Sequence, residues 1–398
     1  MTVEQARREF PHTWTDMVYL NHAAISPMTF RVRDAVDRYL TRRALKGIEP
    51  YPWAQKMALE TKIMLAQMLH CRADQIAFVL NTSDGLNVLA EGLELQSGDR
   101  VLINDLEFPA NVYPFLNLKR RGVEVDIIKK NPLLSKEGTG IIKNNPLLFK
   151  EGAGGGYSIT PDDIAKHLTP QTKLVSISHV QFATGAKANL TAIGKLCRER
   201  NILFAVDAIQ ALPHCAIDAE QSCIDFLATG SHKWLMAPEG TGFIFVGDRA
   251  LKRIRQSYLG WRSVDDSFNF DNLDPARLVK NAERFENGTL NFIGIAGLNA
   301  SMQFFLEFGL PAIERNVLDL SGYLIDRLEM HGVEVITPKA EEERAGIVAF
   351  NFPDAEKTYE RLYREQIIIS LRSGRLRAAP HFYNTEEEVK KLVAGLFQ

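Results

Sequence analysis

The sequence predicts an α/β protein with a mostly parallel sheet in its first two thirds and a smaller α+β domain at its C-terminal end. Apolar strand-like runs alternate with helical runs through the first two thirds of the 398 residues. This alternation is typical of a parallel sheet that is covered by helices. The hydrophobic content of 45% supports a large core, and the length indicates two domains.

The predicted strands of the sheet are short and apolar, and stretches with helical periodicity separate them. The strands cover residues 76–80, 101–103, 123–127, 174–177, 203–206 and 242–246, and the clearest helices cover residues 86–95 and 191–201. Ligands of such sheets bind at the carboxyl ends of the strands. Asp207 follows one strand directly, so we expect it at that edge of the sheet.

The pattern changes from about residue 275 onward. Helical stretches at 293–308 and 312–331 precede short strands at 333–336, 347–352 and 367–371. This order of elements indicates a separate, smaller α+β domain. We therefore expect a large domain over residues 18–274 and a small domain that includes residues 275–398.

Residues 127–154 contain a tandem duplication. Its two units of 14 residues agree at 11 positions and carry proline and glycine at the same offsets. Two copies are too few for a solenoid, and proline and glycine favour turns, so we expect a surface loop before a helix that begins near Thr160. A partner-binding role of this loop is a further hypothesis.

Charge and cysteine content argue against several classes of protein. The formal net charge is -2 at pH 7 and no basic block is present, so we expect no nucleic-acid partner. No apolar run approaches membrane-spanning length and the first ten residues include charged ones, so we expect a cytoplasmic protein without membrane association. The cysteines lack the spacing of a zinc site or disulfide scaffold, and buried, reduced thiols are expected at Cys71, Cys197, Cys215 and Cys223.

A lysine and an aspartate, each directly after or close to an apolar run, form the strongest chemical signal in the chain. Lys233 lies in the segment Ser-His-Lys-Trp, 26 residues after Asp207. A lysine at a strand-to-loop turn can form a Schiff base with the aldehyde of pyridoxal phosphate (PLP), and an aspartate on a neighbouring strand can keep the pyridine nitrogen protonated. The pair therefore predicts PLP as the cofactor, with Lys233 and Asp207 as catalytic residues.

Two longer segments surround this pair: residues 206–214, VDAIQALPH, and residues 229–234, TGSHKW. They resemble the class V aminotransferase family, which includes cysteine desulfurases, kynureninases and isopenicillin N epimerase-like proteins. The likeness extends over nearly the whole chain, from residues 19–24 to residues 377–385. It implies the PLP-dependent transferase fold type I with a seven-stranded sheet, an amino-acid substrate, and packing of residues 1–17 on the small domain.

The phosphate of the cofactor needs backbone amides and hydroxyls, which the N-terminus of a helix provides. Residues 81–85, Asn-Thr-Ser-Asp-Gly, lie between a predicted strand and a predicted helix. The same residue types also cap helices without binding any ligand. The resemblance assigns the phosphate contacts chiefly to Ser83 and Thr82, with Ser231 and His232 completing the site.

The resemblance also implies two contacts to the cofactor ring. Phe108 occupies the place where desulfurases have a stacking histidine, so it would stack on the pyridine face, with core packing as the alternative. Gln210 would donate a hydrogen bond to the phenolic oxygen. His179 lies near the site by the same resemblance, and a structural role and a chemical role are both open for it.

Residues 284–289 resemble the segment that reaches into the neighbouring subunit's active site in this family. Thr289 would then contact the partner's phosphate, which implies a homodimer with shared active sites. An ordinary helix N-cap is the alternative for this segment.

The substrate's carboxylate requires a cation in a fixed plane, which a guanidinium provides better than an ammonium. Arg377 matches the carboxylate-binding arginine of the family. Arg372 is the alternative clamp, and the resemblance also places His22 among the substrate-binding residues.

The sequence leaves the type of reaction open. Desulfurases of this family carry a nucleophilic cysteine on a loop between two segments. In this chain only Arg375 and Leu376 separate the matching segments, and the last cysteine of the chain is Cys223. A cysteine desulfurase is therefore disfavoured. Lys233 can serve transamination, epimerisation or β-elimination, because all three begin with proton removal at Cα. We expect an aminotransferase, with a C–S lyase or an epimerase as the alternative. A non-catalytic sensor is disfavoured because Lys233 and Arg377 are both retained.

Overall fold

The computed structural model describes residues 1–49, 51–130, 157–271, 273–274 and 277–398. The α-helices in this part of the chain are Val3–Arg7 (α1), Phe30–Thr41 (α2), Tyr51–Leu69 (α3), Thr82–Gly92 (α4), Tyr113–Asn117 (α5), Pro161–His167 (α6), Leu190–Glu199 (α7), Asp248–Leu251 (α8), Phe292–Phe308 (α9), Leu310–Met330 (α10), Ala355–Arg364 (α11) and Glu386–Leu396 (α12). The strands are Val18–Tyr19 (β1), Ile76–Val79 (β2), Arg100–Asn104 (β3), Glu124–Ile128 (β4), Thr172–Ser178 (β5), Leu203–Asp207 (β6), Phe226–Gly230 (β7), Gly242–Val246 (β8), Val348–Phe350 (β9), Ile367–Ile368 (β10), Ser370–Arg372 (β11) and Arg375–Ala378 (β12).

A seven-stranded sheet forms the centre of the molecule. Its strand order is β2-β8-β7-β6-β5-β3-β4, and every neighbouring pair is parallel except the two pairs that contain β8. All residues of β2, β6, β7 and β8 are buried, as is typical of strands that helices cover on both faces. The predicted α/β fold with a mostly parallel sheet of seven strands is confirmed.

Two smaller sheets are formed mainly by strands that follow α10, and one of them also includes β1 near the N-terminal end. Strands β11, β12 and β9 form an antiparallel sheet, and β1 pairs with β10 in parallel. The expected strand at 333–336 is reduced to one bridge between Val335 and Phe350. The expected strand at 367–371 is divided into β10 and β11, because the two pieces pair with different partners.

Contacts of both chain ends join the smaller sheets to the central one. Phe10 stacks on Tyr383 with ring centroids 3.6 Å apart, and Arg7 forms an ion pair with Glu388 of α12 at 2.9 Å. Phe10 also belongs to the hydrophobic cluster that contains Phe204 of β6 and much of α9. The division into domains near residue 275 stays a prediction.

The duplicated units at 127–154 lie almost entirely outside the described residues; only their first four residues are included. In the described ranges no single helix is long and apolar enough to cross a bilayer. Helices α9 and α10 meet that test only as a pair, and the chain bends by 82° between them.

Candidate active site

The predicted site residues meet at the carboxyl ends of the parallel strands. Asp207 is the last residue of β6, Lys233 follows β7 within three residues, and α4 begins shortly after β2. Together they enclose a cavity of about 300 Å³. The cavity is lined by Ala23, Ala24, Asn81, Thr82, Ser83, Phe108, Ala110, Phe182, Asp207, Ile209, Gln210, His232, Lys233, Arg372 and Arg377. We refer to it as the Lys233 pocket.

The lysine amine lies under an aromatic ring in a largely dehydrated place. Lys233 Nζ is 5.6 Å from the centroid of the Phe108 ring. Burial lowers the pKa of Lys233 to about 8, the carboxylate of Asp207 opposes this shift, and the charges of Arg377 and Arg372 add to it. A larger fraction of this amine is therefore unprotonated near neutral pH than for an exposed lysine, which suits a nucleophile or a base.

The carboxyl group of Asp207 is almost fully buried, and one of its oxygens accepts a hydrogen bond from the Ile209 N–H at 3.0 Å. Burial, together with the charge of Glu107, raises the pKa of Asp207 to about 7, while the Ile209 N–H and Lys233 act in the opposite direction. Such a carboxyl group binds a proton or a cationic N–H partner strongly. A protonated pyridine nitrogen is a partner of this kind.

The N-terminus of α4 has unfilled hydrogen-bonding capacity. Asn81 caps the helix by accepting the Asp84 N–H at 2.9 Å, and Thr82 and Ser83 occupy the first two helical positions, whose N–H groups have no partner within a helix. Thr82 Oγ1 is buried and has no hydrogen-bond partner among the described residues. A phosphate group would satisfy these donors, so the residues fit the phosphate of PLP.

Ser231 does not complete this cluster, although its neighbour His232 does line the pocket. The Ser231 hydroxyl is fully buried and donates its one hydrogen to the Thr241 carbonyl at 2.5 Å, with the Pro238 carbonyl farther away at 3.3 Å. Its expected phosphate contact is therefore corrected: the hydroxyl stabilises the turn before Lys233. Burial lowers the pKa of His232, and the charge of Lys233 adds to this effect.

Gln210 lines the pocket and connects two of its walls. Its amide nitrogen donates to the Ala23 carbonyl at 3.0 Å, and its amide oxygen accepts from Trp234 Nε1 at 2.8 Å. One amide N–H is left over, because the side chain has two donors. The expected donation to the phenolic oxygen of PLP stays a prediction that this spare N–H permits.

Arg377 is a buried cation that is fixed in position. Its Nε donates to Ser370 Oγ at 2.9 Å, and its Nη1 donates to the Phe182 carbonyl. In the described part of the chain no carboxylate forms an ion pair with it, and only 2% of the residue is exposed. Burial lowers the pKa of Arg377 to about 9, and Arg372 contributes to the shift. An incoming carboxylate would offset the cost of this dehydrated charge. Arg372 also lines the pocket but is exposed.

Three residues of the predicted site lie elsewhere. His22 is fully buried away from the pocket, because its Nδ1 bonds to the Ala379 carbonyl at 2.7 Å and its Nε2 to the Tyr383 hydroxyl at 2.8 Å. Its expected substrate contact is corrected to a structural role. Thr289 is exposed and outside this chain's own pocket, and the N-cap of α9 is Asn291. His179 lines a neighbouring cavity.

Sequence reasoning missed two residues that the structure brings to the site. Glu107 is buried beside the pocket and accepts hydrogen bonds from five side-chain or backbone groups. Phe182 meets Phe108 edge to face, with centroids 5.3 Å apart. The position of Glu107 shortly after β3, at the ligand-binding edge of the sheet, is the signal that could have identified it.

One sheet edge thus combines a buried lysine, a buried aspartate and a helix N-terminus with unfilled hydrogen-bonding capacity, which is the combination that a PLP-dependent enzyme of the α/β class needs. The family model of the class V aminotransferases matches residues 18–138 and 153–392. The chain belongs to this family, and pyridoxal phosphate is its cofactor.

Several proteins similar to this chain are named as cysteine desulfurases. One is a probable cysteine desulfurase of Methanothermobacter thermautotrophicus, 27% identical over 98% of this chain and 96% of the relative. Another is a cysteine desulfurase of Salmonella agona, 27% identical over 99% of this chain and 97% of the relative. The fold also resembles the solved structure of the cystine C–S lyase C-DES, with a TM-score of 0.84 and 22% identity over 96% of this chain and 98% of that one.

Proposed function

We propose that this chain is a PLP-dependent lyase that breaks the Cβ–S bond of a sulfur-containing amino acid and releases the sulfur without storing it on the protein. One observation carries the proposal. The Lys233 pocket combines Lys233, Asp207 and a buried, unpaired Arg377, and no cysteine lines it. The equipment for removing a proton at Cα is therefore present, whereas a thiol that could receive sulfur is absent from the pocket.

The cysteines do not offer a reactive thiolate near this site. All four lie in the described part of the chain, and Cys197 and Cys215 are buried. Burial raises the pKa of Cys71, Cys197 and Cys215 to about 12. A thiol of such a pKa stays protonated and is a poor nucleophile. Transfer of sulfur to any of these three cysteines is thus disfavoured, and Cys223 does not line the Lys233 pocket.

The relatives support a reaction at a carbon–sulfur bond. By their names, the curated relatives remove sulfur from cysteine. A chain of this family without a sulfur acceptor can still cleave the same bond if the sulfur leaves as a thiol. This interpretation favours the lyase over the aminotransferase that the sequence suggested first.

The roles of the residues follow from their positions. Bound PLP supplies a carbonyl group for the amine and a ring that takes up electrons from the Cα–H bond. Arg377 binds the substrate carboxylate and so fixes the orientation of Cα. Lys233 Nζ accepts the Cα proton. Asp207 holds a positive charge at the pyridine nitrogen, and Thr82 and Ser83 bind the phosphate.

The overall reaction balances without a further oxidant or reductant. A substrate R–S–CH2–CH(NH3+)–COO- and one water give pyruvate, ammonium and R–SH. The bond between Cβ and sulfur breaks with its electron pair on sulfur. The proton that Lys233 removes from Cα can return to a product.

The wider setting of the enzyme is part of the same proposal. We expect a homodimer in which the exposed Thr289 reaches the phosphate of the other subunit's cofactor. Residues 18–274 would form the large domain, and residues 1–17 with 275–398 the small one. A location in the cytoplasm, without membrane or nucleic acid as partner, fits the composition.

Transamination is the second candidate, because the family model that matches the chain is that of aminotransferases. Epimerisation would use the same proton removal. The three reactions differ in what accumulates, so a product assay distinguishes them.

The test uses the PLP-loaded protein with cysteine, cystine and S-methylcysteine. A lyase produces pyruvate and ammonium over many turnovers without an added keto acid, together with sulfide from cysteine, cysteine persulfide from cystine or methanethiol from S-methylcysteine. Matched variants are Lys233→Ala, which should be inactive, and Cys215→Ala and Cys223→Ser, which should retain full activity. A requirement for a keto acid would identify an aminotransferase, and accumulation of the D-amino acid an epimerase. Loss of activity in a cysteine variant would contradict release without storage.

A further inference from the structure

Behind the Lys233 pocket lies a buried carboxylate that does not line it. Glu107 is 7% exposed, and it lies on the loop after β3, directly before Phe108. In the described residues it forms no ion pair with a lysine, arginine or histidine. A buried carboxylate without a cation is costly unless hydrogen bonds replace its water shell.

Hydrogen-bond donors surround Glu107 on both oxygens. Asn104 Nδ2 donates at 2.6 Å, the Ser178 N–H at 2.8 Å and Gln181 Nε2 at 3.1 Å to Oε1. Asn111 Nδ2 donates at 2.9 Å to Oε2, and the Ser178 hydroxyl donates to the same oxygen. Accepting at both oxygens from five donors is the behaviour of an ionised carboxylate.

The donors connect Glu107 to Asp207. Ser178 is the last residue of β5 and the register partner of Asp207 on β6. The backbone N–H and the hydroxyl of Ser178 both donate hydrogen bonds to Glu107. The negative charge of Glu107 is therefore fixed at the end of the strand next to Asp207.

Among the groups that act on Asp207, the Ile209 N–H and the charge of Lys233 oppose the effect of Glu107 on its pKa. The charges that act on Asp207 are those of Glu107 and Lys233, and the negative one raises the pKa of Asp207. His179 donates its backbone N–H to the Asp207 carbonyl, and burial lowers the pKa of its ring to about 3, so the imidazole is neutral. Glu107 is thus the fixed negative charge behind the carboxylate that faces the pocket.

We propose that Glu107 is a positioning residue with an electrostatic function: its fixed charge keeps a proton on the pyridine nitrogen of the cofactor that Asp207 binds. A negative potential behind Asp207 favours a positive charge in front of it. The donor network holds the carboxylate in place, so the charge costs no rearrangement when the cofactor binds. The inference concerns only the protonation of the bound cofactor and holds for each of the reactions considered above.

Charge must be separated from shape in the test. Glu107→Gln alone would turn an amide N–H toward the donors of Ser178 and Asn111, so it could fail to fold for reasons unrelated to charge. The double variant Ser178→Ala/Glu107→Gln removes the opposing hydroxyl. The single variant Ser178→Ala retains the charge and is its matched control.

The measurement is the 15N chemical shift of the pyridine nitrogen in protein loaded with 15N-labelled PLP, followed over pH in the absence of substrate. Thermal unfolding and the Kd of PLP are recorded in parallel. We expect Ser178→Ala to retain the protonated signal over the wild-type pH range. In the double variant the pH midpoint should fall by about one unit or more.

An unchanged midpoint in the double variant would overturn the proposal and leave Glu107 as a structural anchor only. Glu107→Asp provides a second decision, because it keeps the charge and disturbs the donor geometry. If it retains protonation, charge is what matters. If the midpoint of Glu107→Asp falls as far as that of the double variant, the proposal is wrong. If the double variant does not bind PLP, a fall in the midpoint of Glu107→Asp also contradicts the proposal. None of these outcomes depends on turnover, so they are independent of the lyase assay.

Discussion

The two sides of the loop that carries Lys233 differ in how their polar groups are satisfied. On the pocket side, Thr82 Oγ1 is buried without a partner and Arg377 has no carboxylate partner among the described residues. On the opposite side, His22 uses both ring nitrogens, and His381 bonds to the Trp234 carbonyl and the Phe382 N–H. The unpaired Thr82 hydroxyl and the Arg377 charge mark the place for a ligand, whereas His22 and His381, with both ring nitrogens bonded, hold the loop. His214, which packs on Trp234, has no hydrogen-bond partner among the described residues and belongs to neither group.

This contrast makes a general prediction. Substitutions on the pocket side should change cofactor and substrate binding with little loss of stability. Substitutions of His22 or His381 should lower stability and leave the chemistry of the remaining folded protein nearly unchanged. The experiments below test this contrast from the largest expected effect to the smallest.

Lys233→Ala should have the largest effect. Without the amine no covalent link to PLP forms and no base remains at Cα, so kcat should fall by about three orders of magnitude or more. Some cofactor should remain bound through its phosphate. Borohydride reduction followed by mass spectrometry measures the link, with the exposed Lys195→Ala as control. A pyridoxyl group on another lysine of the wild-type protein would refute the assignment.

Asp207→Asn should bind PLP but turn over slowly. The amide cannot form an ion pair with the protonated ring nitrogen, so we expect a loss on the order of 4 kcal/mol in transition-state stabilisation, about a thousandfold in kcat. The PLP content and kcat are measured on the same preparation. A kcat near that of the wild type would exclude the role of Asp207 at the ring nitrogen.

Arg377→Ala should separate substrate binding from cofactor binding. The visible spectrum of the loaded protein should stay unchanged, and amino acids should bind about 2 to 5 kcal/mol more weakly because a charge-assisted contact is lost. Amines without a carboxylate serve as the matched ligands and should be nearly unaffected. Arg377→Lys should recover only part of the affinity. Equal losses of affinity for amines and amino acids would contradict this role of Arg377, and Arg372 would be the next candidate for the carboxylate contact.

His22→Ala should act on stability instead. The substitution leaves the Ala379 carbonyl and the Tyr383 hydroxyl without this partner, so unfolding in urea should require about 2 to 4 kcal/mol less free energy. The Kd of amino acids, read from the visible spectrum, should change less than threefold. His167→Ala, at an exposed position, is the control. A large loss of substrate affinity at unchanged stability would restore His22 to the substrate site.

The central sheet could be predicted from the sequence because most of its strands are buried, largely apolar runs; β4, with Glu124 and Asp126, is the least buried of them. Strand β12 could not, since its sequence, Arg-Leu-Arg-Ala, is half charged and yet all four residues are buried. Tertiary contacts decide this: Arg377 is buried because Ser370 and the Phe182 carbonyl accept its hydrogen bonds.

The sequence predicted some site residues by their type that the structure does not bring to the pocket. Lys233, Asp207, Thr82 and Ser83 converge as expected because each follows a strand of the same sheet. His22 and Ser231 have the right chemistry and lie close in sequence to pocket residues, but their hydrogen bonds are directed to backbone carbonyls and, for His22, to Tyr383. A sequence does not show which partner a polar group has.

The smallest effect expected is on the pH dependence of PLP attachment. The neutral amine of Lys233 is the nucleophile, and burial lowers its pKa from 10.5 to about 8. In cofactor-free protein the rate of attachment should therefore rise as the pH increases through about 8 and level off above it. The neutral form is favoured by folding, so this group's contribution to stability is complete above pH 10.5 and declines as the pH falls toward 8.

Two substitutions shift this midpoint in opposite directions. Asp207 raises the pKa of Lys233 and Arg372 lowers it, so Asp207→Asn should move the midpoint to lower pH and Arg372→Gln should move it to higher pH. Stopped-flow absorbance measures the rates, which are divided by those of a simple primary amine to correct for the titration of PLP itself. Because Arg372 is exposed and screened by solvent, its shift should be the smaller of the two. Shifts in the same direction for both variants would show that dehydration, and not the charges of the pocket, controls the amine.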